Sequence, residues 1–340
     1  MLRSTRFAVL PLTLLALGLA GCGGGDEAKV DENADLVVYS GRSEELVGPL
    51  IEKFKREQKV DVSVRYGDSS ELAAIIREEG DRSPADVFWA QDAGSLDALA
   101  EAKLLKALPA AVSEDVPKTF KAADGTWTGT SARARVIAYD TRVLKVADLP
   151  PSVFDLTDPK WSGKVGWAPG NASFQAFITA MRATEGEAKT RTWIQGMVDN
   201  NTQRLENNIA IRDAINTGEL QLGLINHYYV AEAKAEDPNY PVGVFSPPGD
   251  IGAMVNVAGV GALASSDGLP AAEQFARYLL AKPAQQYFVD ELKEYAVIPG
   301  FPTPDGVTPL DEIKQPTGVD LAELGDHQGT VDLLQDAGVL

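Results

Sequence analysis

The chain has 340 residues with 49 acidic against 31 basic side chains, giving a formal net charge of -18. Such an acidic surface argues against nucleic acid or anionic lipid as a partner, and it suits either attraction of cations or simple solvation. The single cysteine, Cys22, leaves no disulfide, no thiolate metal site and no cysteine nucleophile.

The N-terminus reads as a targeting segment. Arg3 and Arg6 form a positive region, and residues 7–19 are apolar but too few for a stop-transfer helix. Leu19-Ala20-Gly21-Cys22 looks like a bacterial lipoprotein signal, in which Cys22 is lipidated and becomes the new N-terminus. Two acyl chains then suffice for stable anchoring. Residues 22–34, opening on three glycines, read as a flexible tether. Roughly 315 residues remain, enough for two lobes with separate cores.

Strand and helix patterns then alternate. Residues 36–40 form a strand, Ser43 is placed to cap a helix over 44–58, and residues 60–66 alternate as a second strand. Ser69, Ser70 and Glu71 open a helix to residue 79. A third strand at 85–89 ends at Gln91-Asp92, before a helix over 93–103. This order predicts a parallel sheet with right-handed crossovers, the strand ends opening onto one edge where helix N-termini attract anions.

Residues 127–139 are extended without helical period, as a crossover between lobes would be. Arg133 and Arg135 lie two apart on one strand face. They can hold an oxyanion, or equally form ion pairs between lobes. After a loop-rich stretch, a strand at 165–167 leads into Pro169-Gly170-Asn171-Ala172-Ser173 and a helix from Phe174. That small-residue turn is either an oxyanion cradle or an ordinary helix cap. Helices follow over 189–199 and 209–216, the second stopped by Gly218.

The stretch from Gln221 to Glu236 changes period from a buried strand to an Ala/Glu/Lys-rich helix, with Asn226 at the join as N-cap. Tyr228 and Tyr229 therefore stand at a strand-to-helix corner, where open α/β folds place ligands. A free phenol ionises near pH ~10, but a bound cation can drive its proton off. Two phenolates offer hard oxygens that suit Fe(III). The plainer alternative is one core ring and one surface ring. Residues 251–263 read as the return crossing, and Gly259-Val260-Gly261 is no dinucleotide fingerprint. Helices follow at 271–281 and 283–292, and a short one at 330–336 closes the chain.

Several spaced motifs carry a resemblance. Tyr39-Ser40-Gly41-Arg42-Ser43-Glu44-Glu45-Leu46, Ser83-Pro84-Ala85-Asp86-Val87-Phe88, Arg133-Ala134-Arg135-Val136, Ser173-Phe174, Glu206-Asn207-Asn208 and Asn226-His227-Tyr228-Tyr229 resemble the substrate-binding lipoproteins of iron(III) ABC importers. The likeness runs from about residue 36 to 299. It implies an α/β two-lobed class II periplasmic-binding-protein fold, a transferrin-like Venus flytrap with two crossover strands and an inter-lobe cleft. One lobe would hold residues 35–134 plus 256–308, the other 135–255 plus 309–340.

The same resemblance implies that Tyr228 and Tyr229 bind ferric ion and that a synergistic anion, such as carbonate or phosphate, completes the shell. Ser43 and Gln91 stand where fuller members have His and Glu, so this protein supplies fewer anionic ligands and leaves room for anion or water. Asn171, Ala172, Ser173, Asn208 and Asn226 match the anion cradle, and Arg133 an arginine that meets the anion. It implies no enzyme. It implies a monomer on the extracytoplasmic face of the cell membrane, anchored through Cys22, with a permease and its ATPase as partners. His227, beside the pair, is a weaker candidate for a ligand, and His327 reads as surface. The alternatives are an oxyanion, a thiamine-like molecule or an iron chelate in the same cleft, or, remotely, a secreted hydrolase. No nucleophile elbow or His-Glu-x-x-His motif supports the last.

Overall fold

The computed structural model describes residues 30–321 and 324–340. The leader and Cys22 lie outside the described residues. Among those residues, no helix is long and apolar enough to cross a membrane.

The first half builds as the alternation predicts. Strands β1 (Leu36–Ser40), β2 (Val62–Tyr66) and β3 (Val87–Ala90) are joined by helices α1 (Glu44–Gln58) and α2 (Ser69–Glu79), and α3 (Ala93–Glu101) follows β3. β1 pairs in parallel with both β2 and β3. β1 and β3 are buried at every residue, as a strand covered on both faces must be. The cap of α2 is Asp68, which accepts from the Ser70 amide at 2.8 Å. Gly41 sits just past β1, its amide bonded to Trp89 O. A Cβ there would lie 2.0 Å from Ser69 Oγ, so only glycine lets this loop lie against the start of α2.

A short β4 (Leu105–Lys106) precedes the long β5 (Trp127–Asp140), which joins the two lobes. Its first part, residues 127–134, pairs antiparallel with β10 (Val255–Leu263). From Arg135 onward it pairs instead with β8 (Leu222–Asn226) and β9 (Val242–Phe245). The main path runs β2-β1-β3-β10-β5-β8-β6-β7, with β6 at Val165–Trp167 and β7 at Gln203–Arg204. The return crossing is not extended throughout. A 3-10 turn at Ile251–Ala253 precedes β10, capped by Asp250.

The second lobe carries α4 (Ala172–Glu185), α5 (Glu187–Asp199), α6 (Asn208–Thr217) and α7 (Tyr228–Glu236). Its core is aromatic: Trp167 meets Phe174 at 5.7 Å and Trp193 at 6.2 Å, both edge-on. Such pairs add directional attraction to simple burial. The first lobe is completed by α8 (Leu269–Leu280), α9 (Lys282–Asp290) and β11 (Tyr295–Ala296), and the chain ends in α10 (His327–Asp336). α10 packs on α4 and touches α3.

Candidate functional site

The corner holding the tyrosines is fixed from beneath by His227. Its amide donates to Ala134 O at 3.0 Å, and the Ala134 amide donates to its Nδ1 at 3.1 Å. Nε2 then carries the proton and donates to Lys293 O at 3.0 Å. The ring stacks on Tyr295 at 4.6 Å. Burial pulls its pKa down to about 4, because a buried imidazole loses water that would solvate its charge. Both ring nitrogens are occupied, so His227 braces the corner. Asn226 does not cap the helix. It ends β8 opposite Arg135, and His227 takes the N-cap position without a side-chain cap bond.

Tyr228 and Tyr229 open α7 with ring centroids 4.2 Å apart, tilted by 35°. Tyr228 is 1% exposed. Its hydroxyl has no aligned hydrogen-bond partner among the described residues, although the two phenols are close enough to shift each other's acidity. Burial raises both pKa values above the ordinary phenol. The negative charge of Tyr229 and of Glu294 adds to this at Tyr228, while Arg42 and Arg133 oppose it. Both rings are therefore neutral until a stronger charge arrives.

That charge environment is unusual. Arg133, on β5, is buried with none of its three guanidinium nitrogens bonded to an acceptor among the described residues. Burial lowers its pKa, and the like charge of Arg42 lowers it further. Arg135, two residues on, is tied down by its terminal nitrogens: it donates to Leu224 O at 2.6 Å and Asn208 Oδ1 at 3.4 Å and lies over the rings of Phe174 and Phe177, its Nε alone lacking an acceptor among the described residues. The two arginines share a strand face, but Arg135 is locked into the second lobe.

Around them runs a polar chain. Ser173 Oγ accepts from Gln91 and from Asn226, each at 3.2 Å. Gln91 reaches it from the β3–α3 turn, so this contact joins the lobes. Asn171 caps α4, accepting from the Ser173 amide at 3.2 Å and from Asn208 Nδ2 at 3.1 Å. Ala172, the first residue of α4, is buried beside them. Ser43 stands apart. It is exposed and makes no side-chain cap bond. Its neighbour Arg42 is buried instead, facing Glu294 at 2.8 Å.

The sequence reading does not single out Arg42 or Glu294, the buried ion pair beside the tyrosine corner. The loop after β1 was visible as a site edge, but which of its side chains turns inward depends on the packing of Gly41. Glu294 is brought to the cleft only by the turn after α9. Glu232, one turn into α7, is also drawn in: burial, then the Glu294 charge, raises its pKa to about 7. Among the described residues, no three His, Cys, Asp or Glu side chains converge on a metal position. Two open grooves lie elsewhere, one between α5 and α10 and one between α2, α3 and α10.

A sequence profile described as bacterial extracellular solute-binding protein matches residues 82–317. The Fe(3+)-binding periplasmic protein of Serratia marcescens is 33% identical over 334 residues, 97% of each chain. The crystal structure of iron-bound HitA from Pseudomonas aeruginosa superposes with a TM-score of 0.84 at 31% identity, covering 89% of this chain and 99% of that one. The Trichodesmium protein FutA in complex with iron and citrate superposes with a TM-score of 0.76 at 27% identity, covering 90% and 99%.

Proposed function

The chain belongs to the bacterial extracellular solute-binding protein family, and from that premise we propose that it captures ferric ion between its lobes for an ABC importer. The observation that carries this is the pairing of two adjacent phenols, Tyr228 buried and Tyr229 partly so, with a buried guanidinium that lacks any acceptor among the described residues. Tyr228 and Tyr229 would give up both protons to the metal, since a trivalent ion outweighs the burial that holds them neutral. Arg133 would meet a synergistic carbonate or phosphate, with Asn171, Ala172, Ser173, Asn208 and Asn226 lining its other side. Gln91 closes that side from the first lobe, and Ser43 faces solvent at the rim.

Residues 35–134 with 256–308, and 135–255 with 309–340, serve as the two closing bodies. The change of partner along β5 between Ala134 and Arg135 supports that division. Closure stores differential affinity, because only the closed form brings Arg133 and the phenols around one ion. The permease and its ATPase receive the cargo at the membrane, where Cys22 anchors a monomeric chain on the extracytoplasmic face. The named relatives are binding proteins, and the site needs no chemistry beyond binding. A ferric chelate is a second cargo, favoured by the neutral Ser43 and Gln91 and by the citrate in FutA's complex.

Metal analysis of the purified chain, with thermal-shift titrations against ferric ion, ferric citrate, bicarbonate alone and phosphate alone, tests the proposal. Only a ligand that binds the folded form raises the melting point. Stabilisation by ferric ion together with bicarbonate or phosphate is the expected result. Stabilisation by an organic ligand or an anion, with none from iron, would overturn it.

A further inference from the structure

Resting on the ferric reading above, we infer that Arg42 is a second anion-facing group of the cleft and that Glu294 is the residue that positions it. Arg42 is 1% exposed and Glu294 is 0% exposed. They oppose each other at 2.8 Å as an ion pair off hydrogen-bond alignment. All three guanidinium nitrogens of Arg42 therefore lack an aligned acceptor among the described residues. Burial works against the Arg42 charge, and the Glu294 carboxylate beside it holds the guanidinium charged. Its partner Glu294 follows Lys293, whose carbonyl accepts from the His227 ring beside Tyr228, which places the ion pair next to the phenols.

The tether is built from two directions. Glu294's other oxygen accepts from Ser131 Oγ at 2.5 Å. Ser131 stands on β5 two residues before Arg133, hence on the same face of that strand. Glu294 itself is delivered by a left-handed residue, Lys293, at φ 53°. The carbonyl of Lys293 is the one that holds His227 Nε2. One turn thus fixes both the brace under the tyrosines and the carboxylate behind Arg42.

A guanidinium kept only as a counterion would be satisfied by its carboxylate. Here two neighbouring guanidinia, Arg42 and Arg133, are buried with donors unbonded among the described residues, and of the carboxylates near them Glu294 alone comes within ion-pair distance, at Arg42. Planar guanidinium forks match oxyanions. The ligand class is a small multivalent oxyanion, bicarbonate-derived carbonate or inorganic phosphate, bridging both arginines while it shares the metal with the phenolates. Glu294 does not touch the cargo. It acts through Arg42, by holding the fork in place.

The test compares Arg42→Gln, Glu294→Gln, Glu294→Asp and Ser131→Ala with the parent chain. Each is titrated with bicarbonate and, separately, phosphate, once without iron by thermal shift and once with ferric ion by the phenolate-to-iron absorption. Arg42→Gln should raise the half-saturating bicarbonate concentration about ten-fold, the factor carried by one charge-assisted hydrogen bond. Glu294→Gln should shift it the same way, and Glu294→Asp should recover part of the loss. Ser131→Ala, the mildest change, keeps the test alive should a charge variant not fold. Folded variants whose anion titrations match the parent, with altered melting points only, would reduce Arg42 and Glu294 to a structural pair and overturn the inference. A parent chain that binds these anions but shows no absorption with iron would sink the ferric reading, while the anion titrations would still judge Arg42.

Discussion

Replacing Arg133 by methionine should make the unloaded protein more stable and the loaded protein weaker in its grip on iron. Methionine keeps much of the volume of the arginine stem and removes the charge. The guanidinium is 1% exposed and none of its nitrogens has an acceptor among the described residues. The nearby carboxylates of Glu294 and Asp92 act on it only through space. A buried donor group left unsatisfied costs about 1–3 kcal/mol, more when charged. Removing it should therefore stabilise the empty chain by about 2 kcal/mol, or roughly 3 °C in melting temperature. The same change deletes the seat of the synergistic anion, so ferric affinity in bicarbonate should fall by roughly 10- to 100-fold. Calorimetric melting of the empty and loaded forms measures both effects. The gap between the two melting points should shrink from both ends. An empty variant that melts lower than the parent, with the loaded-to-empty gap intact, would mean that Arg133 is a satisfied structural ion, and the reasoning would fail.

Acid should release the cargo. Both phenols are neutral in the empty cleft, their pKa values raised first by burial, so binding expels up to two protons and affinity should rise by as much as about 100-fold per pH unit; isothermal titration in buffers of different ionisation enthalpy counts those protons, and a count of zero contradicts phenolate binding. His227 gives the fold its own acid sensitivity. Its folded pKa of about 4 lies below the ordinary imidazole value of 6.5, so the unfolded chain binds its proton first and stability is lost as pH falls from about 6.5 to 4. The loss is about 3 kcal/mol by linkage. His227→Gln should flatten that part of the denaturation profile, and an unchanged slope would place the sensitivity elsewhere. His327 Nε2 lies 3.0 Å from Ser70 Oγ and 2.7 Å from Gln175 Oε1, linking α10 to helices of both lobes. His327→Ala should speed iron loss to a chelator about five-fold, the worth of one hydrogen bond, and stopped-flow release at the parent rate would exclude such a link.

Much of this was legible because periodicity reports burial. The alternation through β3 and the apolar run of β8 each bury a continuous stripe, so their residues read as strands and helices from the sequence alone. The tyrosine corner was legible for the same reason: the period changes at Asn226. The identity of the capping residue was not, because Asn226 stays paired with Arg135 in β8, and that register depends on a strand more than 80 positions away in the chain. Short strands such as β7, β9 and β11 carry too few residues for a pattern and exist only because β5 and β6 offer them edges. Ser43 is exposed and its neighbour Arg42 is buried; a place in a motif does not report which side chain of the loop after β1 turns inward. His227 could not be told from a ligand by position alone; its two hydrogen bonds come from Ala134 and Lys293, on separate elements.

The central claim is that Tyr228 and Tyr229 lose their protons together to one ferric ion. It is tested most directly by the visible spectrum of the folded chain titrated with ferric ion in bicarbonate, beside Tyr228→Phe. The account predicts a phenolate-to-iron band that saturates at one ion per chain and is lost or strongly weakened in the variant. A folded parent that stays colourless, or a variant with the parent's full band, would contradict it.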